Sequence, residues 1–214
     1  MTAAIAAFAV ACTESAGVAQ GVMTMITIES MRVGEPPEDF DFGLTGQGGP
    51  GQWTVVADTT ATGGRAIEQS STERTGYRFP LAIHRPISAR NVDVSLRFKA
   101  VAGNVDRAGG IVVRLADPDN YYVVRANALE DNVRFYRVVN GRREQIEGAD
   151  LKVSAQAWHP LGLKTEGNRF TIMFDGKELY TASDDTMPGP GRVALWTKAD
   201  SVTRFDRIEI KTLP

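Results

Sequence analysis

The chain holds a single cysteine, Cys12, so no disulfide can form within it. Its stability must therefore come from packed apolar surface and hydrogen bonds. No apolar run approaches the ~20 residues that a helix needs to span a bilayer. Basic charge is not in excess: 24 Lys and Arg stand against 26 Asp and Glu, for a formal net charge of −2. That removes the electrostatic footprint of a nucleic-acid-binding protein, and no nucleic-acid partner is expected. Helical periodicity is also missing after residue 30. What remains is 43% apolar and 23% charged residues over 214 positions, the balance of an ordinary globular protein and enough chain for one large β domain.

The positive signal is alternation. Val92, Val94, Leu96, Phe98 and Ala100 alternate with Asp93, Ser95, Arg97 and Lys99, the period of a half-buried antiparallel strand. Similar short stretches are expected as strands at 53–58, 65–70, 76–83, 109–116, 120–127, 132–139, 142–147, 158–165, 169–175, 177–183, 191–198 and 203–211. Asn140-Gly141 and Asp175-Gly176 are dipeptides that tolerate the positive φ of tight hairpins. Residues 34–53, dense in Gly and Pro, read as irregular chain. About a dozen strands need two packed layers to bury their apolar faces, which predicts an all-β, two-layer antiparallel sandwich. Its core should include Val94, Leu96, Phe98, Ile111, Val113, Phe135, Leu163, Ile172, Leu195 and Ile208.

Residues 1–33 read differently, as a signal or lipoprotein-like segment and tether. Residues 3–11 (AAIAAFAVA) form a short apolar run ending directly before Cys12, similar to the lipid-attachment box of a bacterial lipoprotein. Ala9 stands where Leu is usual, and no Lys or Arg precedes the run. Export to the periplasm or membrane anchoring through Cys12 is the expectation, with an unprocessed alanine-rich helix as the alternative.

The stretch 106–139 should be three consecutive strands. Ile111, Val113, Leu115, Tyr122, Val124, Val133 and Phe135 supply the inward set, and Arg114, Arg125, Asn127, Arg134 and Tyr136 the opposite one. Trp196 and Lys198 have the parity to join them. Guanidinium donors beside aromatic rings suit the hydroxyls and apolar face of a pyranose, so Arg114, Arg125, Asn127, Arg134, Tyr136, Trp196 and Lys198 are the expected ligand-binding set, in a shallow groove on one open sheet. A merely solvated sheet face is the alternative.

Four segments, 108–127, 132–144, 158–180 and 191–210, resemble the concanavalin A-like lectin/glucanase superfamily. More narrowly they resemble the bacterial 3-keto-disaccharide hydrolase family and its laminin-G-like relatives. The resemblance implies a jelly-roll sandwich over 34–214 and a carbohydrate ligand. It leaves activity open, because one fold hosts lectins, hydrolases and adhesion modules. The E-x-D-x-x-E strand of laminarinase-type members is absent. Asp106, Glu130, Asp131, Asp184 and Asp185 are the remaining candidate acids, all in expected loops, where such residues are commonly turn formers. A 3-keto sugar would need less help, since a base and an oxyanion stabiliser can suffice for elimination. No cofactor is expected. Asp117-Pro118-Asp119-Asn120 and Asp206 carry oxygen ligands for a structural calcium, although the loop lacks the Gly and distal Glu of a calcium loop. His84 and His159 lie far apart in sequence and suggest no zinc site. An exported sugar-binding domain, a glycosidase or lyase of oxidised disaccharides, and a laminin-G-like interaction module thus stand as alternatives. The oligomeric state is not legible.

Overall fold

A computed structural model describes residues 21–214; Cys12 and the apolar run before it lie outside the described residues. The strands are β1 (Met23–Met25), β2 (Phe40–Gly46), β3 (Trp53–Ala57), β4 (Arg65–Gln69), β5 (Arg78–Ala89), β6 (Val92–Ala102), β7 (Ala108–Asp117), β8 (Asn120–Asn127), β9 (Asn132–Val139), β10 (Arg142–Asp150), β11 (Trp158–Glu166), β12 (Arg169–Phe174), β13 (Lys177–Ser183), β14 (Gly191–Thr197) and β15 (Val202–Thr212). A seven-stranded front sheet runs β10-β9-β8-β7-β14-β5-β2. An eight-stranded back sheet runs β13-β12-β11-β6-β15-β4-β3, with β1 also paired to β15. All the pairings are antiparallel. The chain passes from front to back between β2 and β3, β5 and β6, β10 and β11, and β14 and β15, which makes the two layers one jelly-roll sandwich.

The alternating pattern does what it should. Along β6, Val92, Val94, Leu96, Phe98 and Ala100 are all buried, and across β11 Leu96 faces Leu161 while Val94 faces Leu163. Every expected core residue lies in the inter-sheet cluster, each such side chain contributing roughly 1.5–3 kcal/mol on leaving water. Tyr122 stacks on Phe135 at 5.9 Å and meets Phe170 of the back sheet at 4.6 Å. The Asn140-Gly141 and Asp175-Gly176 hairpins have positive φ at both positions, 49° and 73° in the first and 48° and 77° in the second.

Two expectations about the N-terminal third need correction. Residues 40–46, read as irregular, form the edge strand β2 along β5, with Phe40 buried; Gly43 and Gly46 had hidden its alternation. Part of the expected tether packs on the sandwich. Met23–Met25 pair with β15, and Ile26, Ile28 and Met31 enter the main core.

The outer face of the back sheet carries a dense ion network. Asp58 accepts from Lys99, Thr60 and Arg204, and Arg204 also pairs with Glu68. Arg97 and Lys99 lie over the Trp158 ring, 5.1 and 4.8 Å from its centroid. Burial opposes the charge of Asp58, but these donors outweigh it and hold its carboxyl far below the usual range.

Candidate functional site

The outer face of the front sheet is set by register. Val123 stands between Val112 and Tyr136, Arg125 between Gly110 and Arg134, and Asn127 between Ala108 and Asn132. On the far side of β7, Trp196 faces Gly110 and Leu81. Side chains directly opposite one another across strands share a face, so these residues form one continuous surface. Gly110 lets β7 and β8 approach closely within it: a Cβ there would come within 3.2 Å of the Arg125 side chain and 2.5 Å of the Val124 carbonyl oxygen.

One end of this face is filled. Trp196 stacks on Phe79 at 5.2 Å, and its Nε1 donates to Tyr121 Oη at 3.3 Å. Tyr121 Oη bonds Thr45 Oγ1 at 2.8 Å, and burial pushes the phenol up to about 12. The Arg143 guanidinium lies over the rings of Tyr136, Phe79 and Trp196 at 4.4, 4.7 and 5.8 Å. Tyr77, just ahead of β5, donates to Gly141 O and accepts from Arg143 N at 2.7 Å. Because β10 is one edge of the sheet and β5 lies next to the other, this contact closes the curl of the sheet. The result is a second apolar cluster outside the main core.

The other end is polar. Arg125 Nη2 donates to Glu130 Oε2 at 2.8 Å and Tyr136 Oη at 3.1 Å, and Nη1 donates to Asn132 Oδ1. Asn127 Nδ2 donates to Asp106 Oδ1 at 2.9 Å, and Lys198 Nζ reaches the second oxygen of Asp106 at 2.5 Å. Two loops carry the acids, and each is fixed by a side chain. Asn127 Oδ1 accepts Leu129 N–H below Glu130, while the Asp200 carboxylate accepts the N–H groups of Asn104, Val105 and Asp106. The two carboxyls are driven apart. Burial raises Asp106, with Lys198 opposing it. Burial also works on Glu130, but Arg125, Asn132 and Lys198 outweigh it and lower the group. The Glu130 side chain is 41% exposed and that of Asp106 only 1%, so Glu130 meets solvent while Asp106 orients what lies above it.

Of the expected ligand-binding residues, Arg125, Asn127, Tyr136 and Lys198 come together here. Arg134 is the register partner of Arg125, but its guanidinium pairs with Asp150 of β10. Trp196 shares the face yet is fully buried in the aromatic end, so it offers no free ring to a ligand. Arg114 is elsewhere. It sits at φ 51° in a bulge after Val113, which reverses the parity of β7. Leu115 therefore joins the outer cluster, and Arg114 turns over Phe170 to donate to the carbonyls of Arg90, Met187 and Gly167. With Trp196 and Arg125 closed over, the face is a packed curl with one polar rim rather than a shallow groove.

Asn132 and Arg143 were missed. Asn132 has the parity of Arg134 and Tyr136, and Arg143 follows from pairing β9 with β10 across Asn140-Gly141, so both were within reach of the same alternation argument. The other candidate acids serve the frame: Asp131 pairs with Lys152 and caps Val153, Asp184 takes Tyr122 and Arg137, and Asp185 accepts from Asn168. Of the expected calcium oxygens, those of Asp117, Asn120 and Asp206 are engaged. Asp117 accepts from Asp119 N and Asn120, and Asp206 from Arg97 and Thr62 N. Among the described residues no group of three or more His, Cys, Asp or Glu is placed to hold a metal ion.

This architecture recurs in solved structures. The carbohydrate-binding module CBM66 from Bacillus subtilis superposes with a TM-score of 0.61 at 22% identity, over 78% of this chain and 94% of that one. A Bacillus licheniformis beta-glucanase gives 0.56 at 12% identity, over 91% and 99%. A Bacillus subtilis protein with a galectin-like fold gives 0.56 at 8%, over 81% and 91%. At these identities the likeness is one of fold, and it bears out the concanavalin A-like sandwich. None of the curated proteins matches the chain. Residues 86–213, more than half of the sequence, match the family profile described as the galactocerebrosidase C-terminal lectin domain. The chain belongs to that lectin-domain family.

Proposed function

We propose that the protein is a carbohydrate-binding domain that holds a sugar at the polar rim of the front sheet. The observation that carries this reading is the cluster of Arg125, Asn127, Tyr136 and Lys198 with Asp106, Glu130 and Asn132. Arg125 and Lys198 are each matched by a carboxylate, so the rim offers fixed donors and acceptors with little net charge, which suits the hydroxyls of a neutral sugar. Membership of a lectin-domain family and the fold shared with a carbohydrate-binding module support it. A glycan array with purified protein tests it: saturable binding that Glu130→Gln weakens is expected, and a blank array would remove the reading.

A second reading rests on the two carboxyls, one raised and one lowered at the same rim. Such a split is how acid and base roles are assigned within one site, and it suits a hydrolase or lyase acting on 3-keto-disaccharides. Turnover of a 3-keto-glucoside that Glu130→Gln abolishes would favour it over binding alone. A laminin-G-like role would have Leu129, beside Glu130, as its exposed large apolar side chain on this rim among the described residues, and a single such residue favours it less than the polar cluster favours a sugar. Export, through the segment ending at Cys12, belongs to the same proposal, and equal fractionation of Cys12→Ser and wild type in the native host would count against it.

A further inference from the structure

Arg78, the first residue of β5, is wholly out of water. Its ion-pair partner Glu73 stands off at 3.6 Å, and the guanidinium spends its donors on neutral acceptors. Nε donates to Gly49 O, Nη1 to Ala199 O and Nη2 to Pro50 O, each at 2.7 Å, and Nη2 also donates to Ser71 Oγ at 3.0 Å. One side chain thus joins the β2–β3, β4–β5 and β14–β15 loops. Taking a guanidinium out of water is costly, and an apolar side chain could fill the same volume without that cost. What the guanidinium adds is a rigid fork that holds several acceptors in fixed positions at once.

Of these loops, β14–β15 bears on the front-sheet rim. Ala199 is wholly buried there at φ 48°, in the left-handed region that an alanine adopts only under constraint. Arg78 grips it on both sides: Nη1 donates to its carbonyl, and its N–H donates to Arg78 O at 2.9 Å. The residues flanking Ala199 are the ones that set Asp106. Lys198 Nζ reaches the Asp106 carboxylate at 2.5 Å. Asp200 accepts the N–H groups of Asn104, Val105 and Asp106 at 2.8, 3.0 and 3.0 Å. Ser201 closes the turn, its N–H donating to Lys198 O and its Oγ accepting Ala108 N–H, both at 3.0 Å. A single turn therefore fixes Asp106 through its side chain and its backbone together.

We propose that Arg78 is a positioning residue of the rim: by holding the left-handed turn at Ala199, it sets where Lys198 and Asp200 place Asp106. Being buried, it touches no ligand itself. What it serves rests on the rim being the sugar site, while the linkage from Arg78 to Asp106 can be tested without a sugar.

Native-state hydrogen exchange of the full chain, followed by NMR across low denaturant, is that test. In the wild type the amides of Ala199, Asn104, Val105 and Asp106 should open as one unit, short of global unfolding. Arg78→Lys keeps the charge and loses the fork. It should speed exchange at Asn104, Val105 and Asp106 by about tenfold more than at Leu96 and Phe98 of β6, which report global stability. A role confined to general stability would speed all of these amides equally. That result, or no change at 104–106, would overturn the proposal. So would independent openings of Ala199 and the 104–106 amides in the wild type, a comparison that decides the matter even where Arg78→Lys does not fold. Failure of the sugar reading would show as missing shifts in a sugar titration and would leave these exchange rates untouched, so the two outcomes are distinct.

Discussion

Asp106 and Lys198 meet at 2.5 Å beneath the polar rim of the front sheet, with Asp106 almost wholly out of water. The pair links the loop before β7 to the residue after β14, and Asn127 ties it to β8. A buried carboxylate left without its cation is strongly unfavourable, about 3–5 kcal/mol in comparable pairs. Lys198→Met should therefore destabilise the fold by about that amount at pH 7. Burial raises the Asp106 pKa even with Lys198 beside it, so the folded state binds this proton more tightly than the unfolded chain, and the stability linked to it is present at low pH and lost as pH rises through the folded pKa. The deficit of Lys198→Met should shrink as pH falls, measured by denaturant melts across pH. A deficit constant with pH would show that Lys198 acts elsewhere.

Arg125 and Glu130 differ in what their removal does. Arg125 is buried and serves Glu130, Asn132 and Tyr136, so Arg125→Ala should lower both sugar binding and stability, the latter by about 2–3 kcal/mol. Glu130 is part-exposed, so Glu130→Gln should cost less than ~1 kcal/mol of stability while weakening binding by about 1–3 kcal/mol. Calorimetry and thermal melts of the two variants separate these effects.

Asp58 predicts acid sensitivity. Its carboxyl is held below the usual range in the folded state, so the stability it contributes is present above about pH 4 and lost as pH falls. Asp58→Asn should be less stable than wild type at pH 7 by about 3–5 kcal/mol, since Lys99 loses its buried partner, and should lose less on acidification. Parallel stability curves would contradict this.

Removing residues 1–33 takes away β1 and the buried side chains of Ile26, Ile28 and Met31. By apolar burial the shortened chain should lose about 4 kcal/mol or more, seen as a lower melting temperature. An unchanged melt would mean that this segment adds nothing to the sandwich.

The sandwich was legible because period-two alternation is strong wherever one strand face packs on the other sheet, as in β6 and β9. It faded where glycines replaced side chains, in β2, and where short segments pair through backbone alone, in β1. Parity also carried most of the rim: Arg125, Asn127, Tyr136 and Lys198 were placed by counting from apolar neighbours. It failed at Arg114 because a bulge adds a residue without leaving a mark in the pattern. It placed Trp196 on the right face but could not show that the sheet curls, since the closing contact joins Tyr77 to Gly141 and Arg143, far apart in sequence. Loop carboxylates stayed ambiguous for a similar reason: Asp106 and Glu130 look like Asp131 and Asp184 until the fold brings the first two to one rim.

The central claim is that a sugar binds at that rim. Titration of the isotope-labelled chain with mono- and disaccharides, followed residue by residue by NMR, tests it most directly. The account predicts saturable shifts centred on Glu130, Asn132, Tyr136 and Lys198, with the back sheet unmoved. Saturable shifts confined to the back sheet, or none with any sugar, would contradict it.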